Sequence, residues 1–489
     1  MRARAPDPSS PRPLEFEKRG VVMVGSPGSA RTTDPAVTAL VCAAISDPSP
    51  KGIAAALNRL IRAGRLSTGE RLPTVRDLAV RLGVSPATVS EAWQALSAVG
   101  AIESRGRAGT FIQETSEPSR PVRYLSVGLA PTASGIDLST SMPDPLLLPS
   151  LRTALEAVTG SSLAWTTSYL EDPVLPALEA LLRSSWPYDP ARLVTVDGAL
   201  DGLARVIDQV VGLGDRVAME NPGFPALIDL LESRGAEIIP MAMDDSGVLP
   251  QELARALEHD PVAVFMHPRA QNPTGAAFTP ARLGELVKVL RPCRAIVIET
   301  DHSGAIAESD DLSVGSFLVD RTVRIRSYSK SHGPDLRIAA LSGPAHIVDP
   351  LMARRMLGPG WTSRILQSVL VQLLVDPQSQ ASVAHAAGVY SRRTFAFKAA
   401  LEEKGVRASP GDGLNIWVAV NDERSALLTL AAAGIRAAPG SPFMVEPLSA
   451  QFLRITSGLL PDDPEELAAI AGHVIVAARV LPSARGGIS

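Results

Sequence analysis

The stretch "RIRSYSKSHGPDLRIAA" (Arg324–Ala340) begins with alternating apolar residues, then places Lys330 between two serines and Arg337 seven positions later. The alternating part is typical of a β-strand. In α/β proteins, polar residues that follow a strand lie at the edge of the sheet where ligands bind. Lys330 is therefore a candidate functional residue at a strand end.

The surrounding chain alternates short apolar segments with helical segments up to about residue 482. The predicted strands are "RLVTV", "DRVAME", "AEIIPMAM", "VAVFMH", "AIVIE" and "VRIRSYS". The predicted intervening helices are "LDGLARVIDQVVGLG", "FPALIDLLESRG" and "PARLGELVKVL". This rhythm predicts an α/β layer structure with a largely parallel sheet.

The N-terminal part carries a different pattern of short helices and a basic turn. "GIAAALNRLIRAG" has apolar residues at helical spacing and ends in glycine. Thr74 and Ser85 are candidate N-caps of two further helices, and "AIESRGRAGTFI" follows as a hairpin with "RGRAG" at its tip. This order predicts a winged helix-turn-helix over residues 48–113.

The charge of this segment favours contact with DNA. Residues 51–112 contain nine basic and four acidic side chains, a net charge of +5 within a chain of net charge −4. Such a local excess attracts phosphates. A helical hairpin with a solvated charged face is the alternative, and it is less favoured because helix, turn, small-residue helix and basic wing occur in order.

Composition describes a soluble protein with a large core, since 45% of the 489 residues are hydrophobic and 20% are charged. Cys42 and Cys293 are far apart, so we expect neither a disulfide framework nor a metal site. The apolar run "AVTALVCAAI" is too short to cross a bilayer, and we expect a cytoplasmic protein without a membrane span. Residues 1–47 read as a mobile tail with a possible short helix, and residues 114–134 as a linker.

Four more strand ends carry suggestive residues. "TVDGALDGL" is a strand, a glycine turn and a helix start, so backbone N–H groups near Ala199 and Leu200 could hold a phosphate, although a plain tight turn is the alternative. Phe224 in "NPGFP" could stack on a flat cofactor or simply pack on the surface. Asn272 in "RAQNPTG" is by itself only a turn signal, and "VIETDHSG" ends a buried strand on a carboxylate.

Two resemblances to known families join these observations. "LPTVRDLAVRLGVSPATV" (Leu72–Val89) resembles the winged helix-turn-helix of GntR-type bacterial regulators, which bind double-stranded operator DNA. The resemblance implies that Arg76 anchors on DNA and that small residues of the recognition helix approach the bases. The expected DNA-binding residues are Arg76, Ser85, Ala87, Thr88, Arg105 and Arg107.

The five strand ends, taken in order, resemble a fold-type I pyridoxal 5′-phosphate domain of the aspartate aminotransferase kind, over residues 135–485, with a mixed, largely parallel sheet and a smaller C-terminal subdomain. The resemblance implies that Lys330 forms an imine with the cofactor and that Arg454 binds a substrate carboxylate. The other implied cofactor-binding residues are Ala199, Leu200, Phe224, Asn272, Asp301, His302, Ser327 and Arg337.

This sequence departs from the family pattern near the expected ring-nitrogen partner. Thr300 stands where the family has the first aspartate of "EDD", so either Asp301 takes over the contact or the ring is less protonated than in a working transaminase. His302 replaces a tyrosine near the cofactor oxygen and could donate in its place. These changes affect catalysis more than cofactor binding.

A DNA-binding segment joined to an aminotransferase-like one is the layout of MocR-type regulators, and the resemblance implies a homodimer. Our first hypothesis is a transcription regulator that senses an amine, an amino acid or the cofactor through an aldimine switch at Lys330. The second is an active aminotransferase that carries a DNA-binding domain, which the altered "ETDH" disfavours. The third is an empty scaffold, which the intact Lys330, Arg337 and Asn272 disfavour.

Overall fold

The computed structural model describes residues 35–98, 100–113, 121–127, 135–160, 168–409 and 411–481. Residues 35–113 form a small unit, here called the head, and the chain from residue 135 onward forms a larger α/β unit, here called the body. Residues 1–34 of the predicted tail lie outside the described residues, as do residues 114–120 and 128–134 of the predicted linker.

The described part of the head contains four helices followed by a β-hairpin. They are α1 (Pro35–Ala44), α2 (Pro50–Arg62), α3 (Val75–Leu82), α4 (Pro86–Ala98), β1 (Ile102–Ser104) and β2 (Thr110–Ile112). Val41 of α1 is fully buried in the same apolar cluster as Leu57 of α2 and Leu96 of α4. The possible short helix predicted within residues 1–47 is therefore present as α1, and its apolar face is part of the core of the head.

Local hydrogen bonds explain the helix-turn-helix. Thr74 accepts a hydrogen bond from the backbone N–H of Asp77 at 3.2 Å, and Ser85 accepts one from the N–H of Thr88 at 3.2 Å. Both predicted N-caps are confirmed. Gly83 turns the chain between α3 and α4 with a φ of 67°, a conformation that glycine adopts without steric cost.

The segment that follows the head departs from the expected linker. Residues 121–127 contain a short helix, α5 (Val122–Ser126), that packs on the body. The Arg123 guanidinium donates to the Glu232 carboxylate at 2.9 Å and to the Met444 carbonyl at 2.8 Å. These partners lie more than 100 residues away in sequence, which is why polar composition alone indicated a linker.

The body is built on an eight-stranded sheet, with smaller sheets beside it. Its strands are β3 (Ile136–Asp137), β4 (Arg192–Val196), β5 (Arg216–Asn221), β6 (Glu237–Asp244), β7 (Gly247–Val248), β8 (Ala263–Met266), β9 (Ile296–Asp301), β10 (Thr322–Ser327), β11 (Ala339–Gly343), β12 (Ile416–Val420), β13 (Ile435–Arg436), β14 (Ala438–Pro439) and β15 (Gln451–Ile455). The order of the large sheet is β4-β11-β10-β9-β8-β5-β6-β7. β11 and β7 run against the others, which confirms the mixed, largely parallel sheet.

Helices cover both faces of this sheet. The helices of the body are α6 (Leu151–Gly160), α7 (Pro176–Ser184), α8 (Ala199–Val210), α9 (Pro225–Ser233), α10 (Pro250–Leu257), α11 (Pro280–Leu290), α12 (Ala345–Met356), α13 (Arg364–Val375), α14 (Pro377–Glu403), α15 (Glu423–Ala432) and α16 (Pro464–Arg479). Phe265 of β8 packs with α8 and α9, whereas its neighbour Val264 packs with α10 and α11. Strands buried on both faces in this way explain the continuous apolar runs in the sequence.

A second core lies in the C-terminal subdomain. β12, β15 and β14 form an antiparallel sheet, and α15 and α16 pack against it. β3, from the start of the body, pairs with β13 in the same region. This arrangement confirms the smaller C-terminal subdomain.

The head contacts the body near the loop between α8 and β5. The Lys51 ammonium lies 3.0 Å from the Asp215 carboxylate, and Leu213 packs against the apolar core of the head. No helix in the described part of the chain has the length and apolarity needed to cross a membrane.

Truncation of a core residue of α3 tests the head. Leu78 is fully buried, so Leu78→Ala should lower the unfolding free energy of the head by about 2–5 kcal/mol. Val80 on the same helix is 82% exposed, and Val80→Ala should change it by less than about 0.5 kcal/mol. Hydrogen–deuterium exchange of peptides from α3 and α4 measures both; equal effects would contradict the packing described.

Candidate cofactor and DNA-binding sites

A cavity of about 110 Å³ lies at the carboxyl ends of the parallel strands. It brings together five of the residues singled out in the sequence, although they are separated by up to 230 positions. They are Phe224, Asn272, His302, Lys330 and Arg454. Their convergence is what the carboxyl edge of an α/β sheet provides for a ligand.

The amino end of α8 lies beside Arg337, and neither is among the residues that line this cavity. Gly198 precedes the helix with a φ of 100° and no side-chain cap, which leaves N–H groups of the first turn, including those of Ala199 and Leu200, for a ligand. A Cβ atom on Gly198 would come within 2.6 Å of the Arg337 guanidinium. Arg337 also donates to the Asp197 carbonyl at 3.2 Å, so the structure places this arginine beside the helix terminus. Ser327 is buried at the end of β10.

Lys330 lies in an environment that favours its neutral amine. Its Nζ atom donates a hydrogen bond to the carbonyl oxygen of Ser141. Burial, and to a smaller extent the positive charge of Arg454, lower the pKa of the Lys330 amine to about 8. A neutral amine is the nucleophilic form of lysine, so Lys330 is suited to imine chemistry.

Arg454, on β15, is a buried cation at the cavity wall. It donates to the Asn272 side-chain oxygen at 3.4 Å and to the Ser139 carbonyl, and its guanidinium lies 5.0 Å from the centre of the Phe443 ring. Its Nε atom is buried without a hydrogen-bond partner among the described residues. Burial lowers the pKa of Arg454 to about 10, an effect that Tyr124 partly opposes. The free donor is available to a carboxylate.

The structure does not bring Asp301 to the cavity. Its carboxylate lies 2.8 Å from the Arg269 guanidinium, 3.5 Å from that of Arg324 and 3.6 Å from that of Arg326. Burial raises the pKa of Asp301, but these guanidinium groups outweigh burial and hold it well below its usual range. The expectation that Asp301 could contact the cofactor ring is corrected, because arginines on the other face of the sheet engage it.

Thr300 lies on the opposite face of β9, because successive side chains of a strand alternate. It shares the face of Ile298, which packs in the same core as α8. The Thr300 hydroxyl is buried without a hydrogen-bond partner in the described part of the chain. The polar atom that β9 offers on the α8 side is therefore a neutral hydroxyl.

An aromatic row continues from the cavity into the body. The His302 ring lies 5.0 Å from Phe224 and 5.3 Å from His267, measured between ring centres. The Nδ1 atom of His267 lies 2.8 Å from the Glu220 carboxylate. The Nε2 atoms of both histidines are buried without a partner among the described residues. Burial lowers the pKa of His302 to about 3, so this ring is neutral near pH 7.

Three residues of this region were missed in the sequence. His267 directly follows β8 and Glu220 is the last but one residue of β5, so the strand-end rule that found Asn272 could have found them. Tyr124 lines the cavity from α5, within a segment whose composition indicated a linker. Nothing in its local sequence indicates a ligand contact.

The predicted DNA-binding residues lie on or next to the recognition helix and wing. Arg76, Ser85 and Ala87 are exposed, and Thr88 is half-buried at the start of α4. Arg105 lies 2.7 Å from the Glu103 carboxylate and over the Phe111 ring, so part of its charge is offset. The Arg107 side chain lies outside the described residues.

Comparison with known families agrees with both units. Residues 134–470 match the class I and II aminotransferases, and residues 50–112 match the gntR family of bacterial regulatory proteins. The chain belongs to the class I and II aminotransferase family and carries a GntR-type DNA-binding domain, the layout of MocR-type regulators.

The chain is similar to regulators and to aminotransferases. It is 33% identical over 408 residues to the vitamin B6 salvage pathway transcriptional repressor PtsJ of Salmonella typhimurium, covering 82% of this chain and 92% of that one. It is 28% identical to the HTH-type transcriptional regulator TauR of Rhodobacter capsulatus, covering 78% and 87%. The structure of the α-aminoadipate aminotransferase LysN of Thermus thermophilus superposes with a TM-score of 0.65 at 18% identity, covering 73% and 94%.

The reactivity of Lys330 should follow its lowered pKa. In cofactor-free protein, reductive methylation of Lys330 by formaldehyde should reach half its maximal rate near pH 8, because only the neutral amine reacts. Arg454→Met removes a neighbouring positive charge and should move this midpoint to higher pH. Peptide mass spectrometry measures the rates, with Lys51 in the head as the internal control; an unmoved midpoint would contradict the described electrostatics.

Proposed function

We propose that this protein is a transcription regulator that binds pyridoxal 5′-phosphate through Lys330 and senses an amine, an amino acid or the cofactor itself. It would act in the cytoplasm as a homodimer on a double-stranded DNA operator. The GntR-type head and the aminotransferase-like body support this proposal. The residues of the cavity supply the chemical argument.

The described residues fit the cofactor. Buried polar atoms without partners among the described residues lie on His302 and Arg454, which line the cavity, and on Thr300, two positions before His302. An uncapped helix terminus lies beside Arg337. A phosphorylated, polar ring would satisfy groups of this kind. When bound, pyridoxal phosphate supplies an aldehyde that forms an imine with an amine.

Each side chain has a proposed part in holding the cofactor. Arg337, Ser327 and the N–H groups of Ala199 and Leu200 would bind the phosphate. Phe224 would stack on the ring, and the Asn272 amide would donate to the phenolic oxygen, since its side-chain oxygen already accepts from Arg454. Neutral His302 would act as a second donor near that oxygen.

The presence of Thr300 beside the proposed cofactor ring favours a ligand sensor over an active aminotransferase. A carboxylate beside the ring nitrogen keeps that nitrogen protonated and strengthens the ring as an electron sink. Thr300 offers only a neutral hydroxyl, and Asp301 is engaged by three arginines on the far face. Such a site binds the cofactor but withdraws electrons weakly, which suits ligand sensing better than rapid amino transfer.

The signal is a small molecule that reaches Lys330. An incoming amine would displace Lys330 from the cofactor, and Arg454 would hold the carboxylate if the ligand has one. The similarity to PtsJ, described as a vitamin B6 salvage repressor, supports the cofactor itself as a second possible signal. To act as a switch, the ligand must bind two states of the protein unequally. A coupling of about 1–3 kcal/mol changes operator affinity roughly 5- to 150-fold.

The surface supports association with a second copy. Tyr169 is 87% exposed and Leu170 next to it is 81% exposed, and Tyr169 stacks on Trp361 at 5.7 Å. Adjacent apolar side chains in contact with water are typical of a surface that a partner covers.

A single substitution should turn the sensor toward an enzyme. Thr300→Asp places a carboxylate on the α8 face and should raise amino transfer from L-amino acids to a keto acid at least tenfold over wild type, because the ring nitrogen would be held protonated. Thr300→Asn is the matched control, with similar size but no charge, and should not raise turnover. Steady-state assays of the cofactor-loaded proteins measure this; equal turnover in both variants would contradict the assigned part of Thr300.

Operator affinity tests the proposed function directly. The protein loaded with pyridoxal phosphate should bind DNA from upstream of its own gene with an affinity that changes at least fivefold on adding a ligand from a panel of amines, amino acids and free pyridoxal phosphate. Lys330→Ala should abolish the response to amines. Borohydride reduction should fix the cofactor to the Lys330 peptide in the wild-type protein.

Substitutions in the head provide the control for the DNA contact. Arg76→Ala should weaken DNA binding and reduce its salt slope by about one unit if Arg76 contacts phosphate, whereas Arg81→Ala on the same helix is the matched comparison. Rapid turnover with a DNA affinity that no ligand changes would overturn the regulator proposal and favour the aminotransferase.

A further inference from the structure

A short segment after the head contributes Tyr124 and Val127 to the wall of the cavity. This segment, residues 121–127, is here called the strap, and it contains α5. The Asp229 carboxylate on α9 accepts hydrogen bonds from the backbone N–H groups of Arg123 at 3.3 Å and Tyr124 at 2.9 Å. Arg123 also joins Glu232 on α9 to the carbonyl of Met444. The strap is therefore held on two separate parts of the body.

The Tyr124 side chain forms part of the cavity wall, together with Lys330 and Arg454. Its ring meets Phe224 edge to face, with 6.1 Å between ring centres and an angle of 78° between the planes. Tyr124 is 45% exposed, so its hydroxyl is accessible to a ligand. Arg454 on the facing wall also has a buried Nε donor without a partner within the described ranges.

We propose that the Tyr124 hydroxyl and Arg454 together hold the carboxylate of an amino-acid ligand, so that the strap itself is part of the effector site. The inference rests on the proposed function, because it concerns the ligand that reaches Lys330. It adds a residue and a selectivity that the aminotransferase-like body alone does not supply. An amine without a carboxylate would leave Tyr124 without a partner.

Electrostatics supports the pairing. Tyr124 and Arg454 line the same cavity, and burial lowers the pKa of Arg454, an effect that a bound negative charge would oppose. A guanidinium and a phenol O–H are both donors, and a carboxylate accepts from several donors at once. A ligand carboxylate between them would accept hydrogen bonds from the Arg454 Nε atom and the Tyr124 hydroxyl together.

The position of the strap in the chain explains how binding reaches the head. The wing ends with β2 at Ile112, and the chain passes through residues 113–121 to reach α5. Nine residues extend at most about 30–33 Å, so a change in how the strap is held limits where the wing can lie. A ligand that binds Tyr124 therefore acts on the segment that connects the wing to the strap as well as on the body.

Matched pairs of ligands test the inference on the full-length protein loaded with pyridoxal phosphate. Each amino acid is compared with the amine that lacks its carboxylate: L-alanine with ethylamine, L-leucine with isoamylamine and L-tyrosine with tyramine. Tyr124→Phe should weaken binding of the responding amino acid about tenfold and leave the paired amine unchanged, because one hydrogen bond to a charged group is lost. Changes in cofactor absorbance give the affinities. Val122→Ala, on the same helix with Val122 70% exposed, is the matched control.

Operator affinity provides the second measurement. Tyr124→Ala should keep the cofactor bound to Lys330 but lose the change in operator affinity caused by the amino acid. An amino acid that binds Tyr124→Phe as tightly as wild type, or equal losses for amino acid and amine, would overturn this inference while the proposed function stands. A wild-type protein that gives no cofactor absorbance would overturn the proposed function and this inference with it.

Discussion

A cluster of six charged side chains, all buried except the half-buried Asp311, lies below the carboxyl ends of β9 and β10 and holds the candidate site in place. Arg324 is completely buried, 3.0 Å from the Glu299 carboxylate and in contact with Asp311, while Arg326 lies 2.5 Å from Asp311. Arg269 and Asp301 complete the cluster. The pair between Glu299 on β9 and Arg324 on β10 links these two strands, and removing one partner would leave a buried charge unpaired, at a cost of about 3–5 kcal/mol. This cluster therefore also determines the positions of Thr300, Ser327 and the turn that carries Lys330.

Much of the fold was predictable because its signals are local. The capping residues Thr74 and Ser85, the apolar runs of the strands and the glycine turn at Gly198 each depend on neighbours within a few positions. The strand-end rule also found Lys330 and Asn272 without knowledge of their contacts. Local signals of this kind survive in the folded chain because tertiary packing reinforces them.

The remaining features depend on contacts between distant parts of the chain. Thr300 and Asp301 are adjacent, and only the alternation of β9, set by the core on each face, decides which one lies on the α8 side. The strap was read as a linker because its anchors, Asp229 and Glu232, lie more than 100 residues further along. The same holds for α1, whose apolar face becomes buried only when the head core is assembled.

The large sheet also separates the charged cluster from the cavity. The three acids of the buried cluster lie with three arginines on one side, while the described residues that line the cavity include Lys330 and Arg454 but no acid. The described lining of the cavity is therefore positively charged. A purely cationic molecule is repelled as it approaches, whereas an anion or a zwitterion enters with its negative end toward Arg454. The electric field of the site thus selects ligands by their charge before they contact any residue of the cavity.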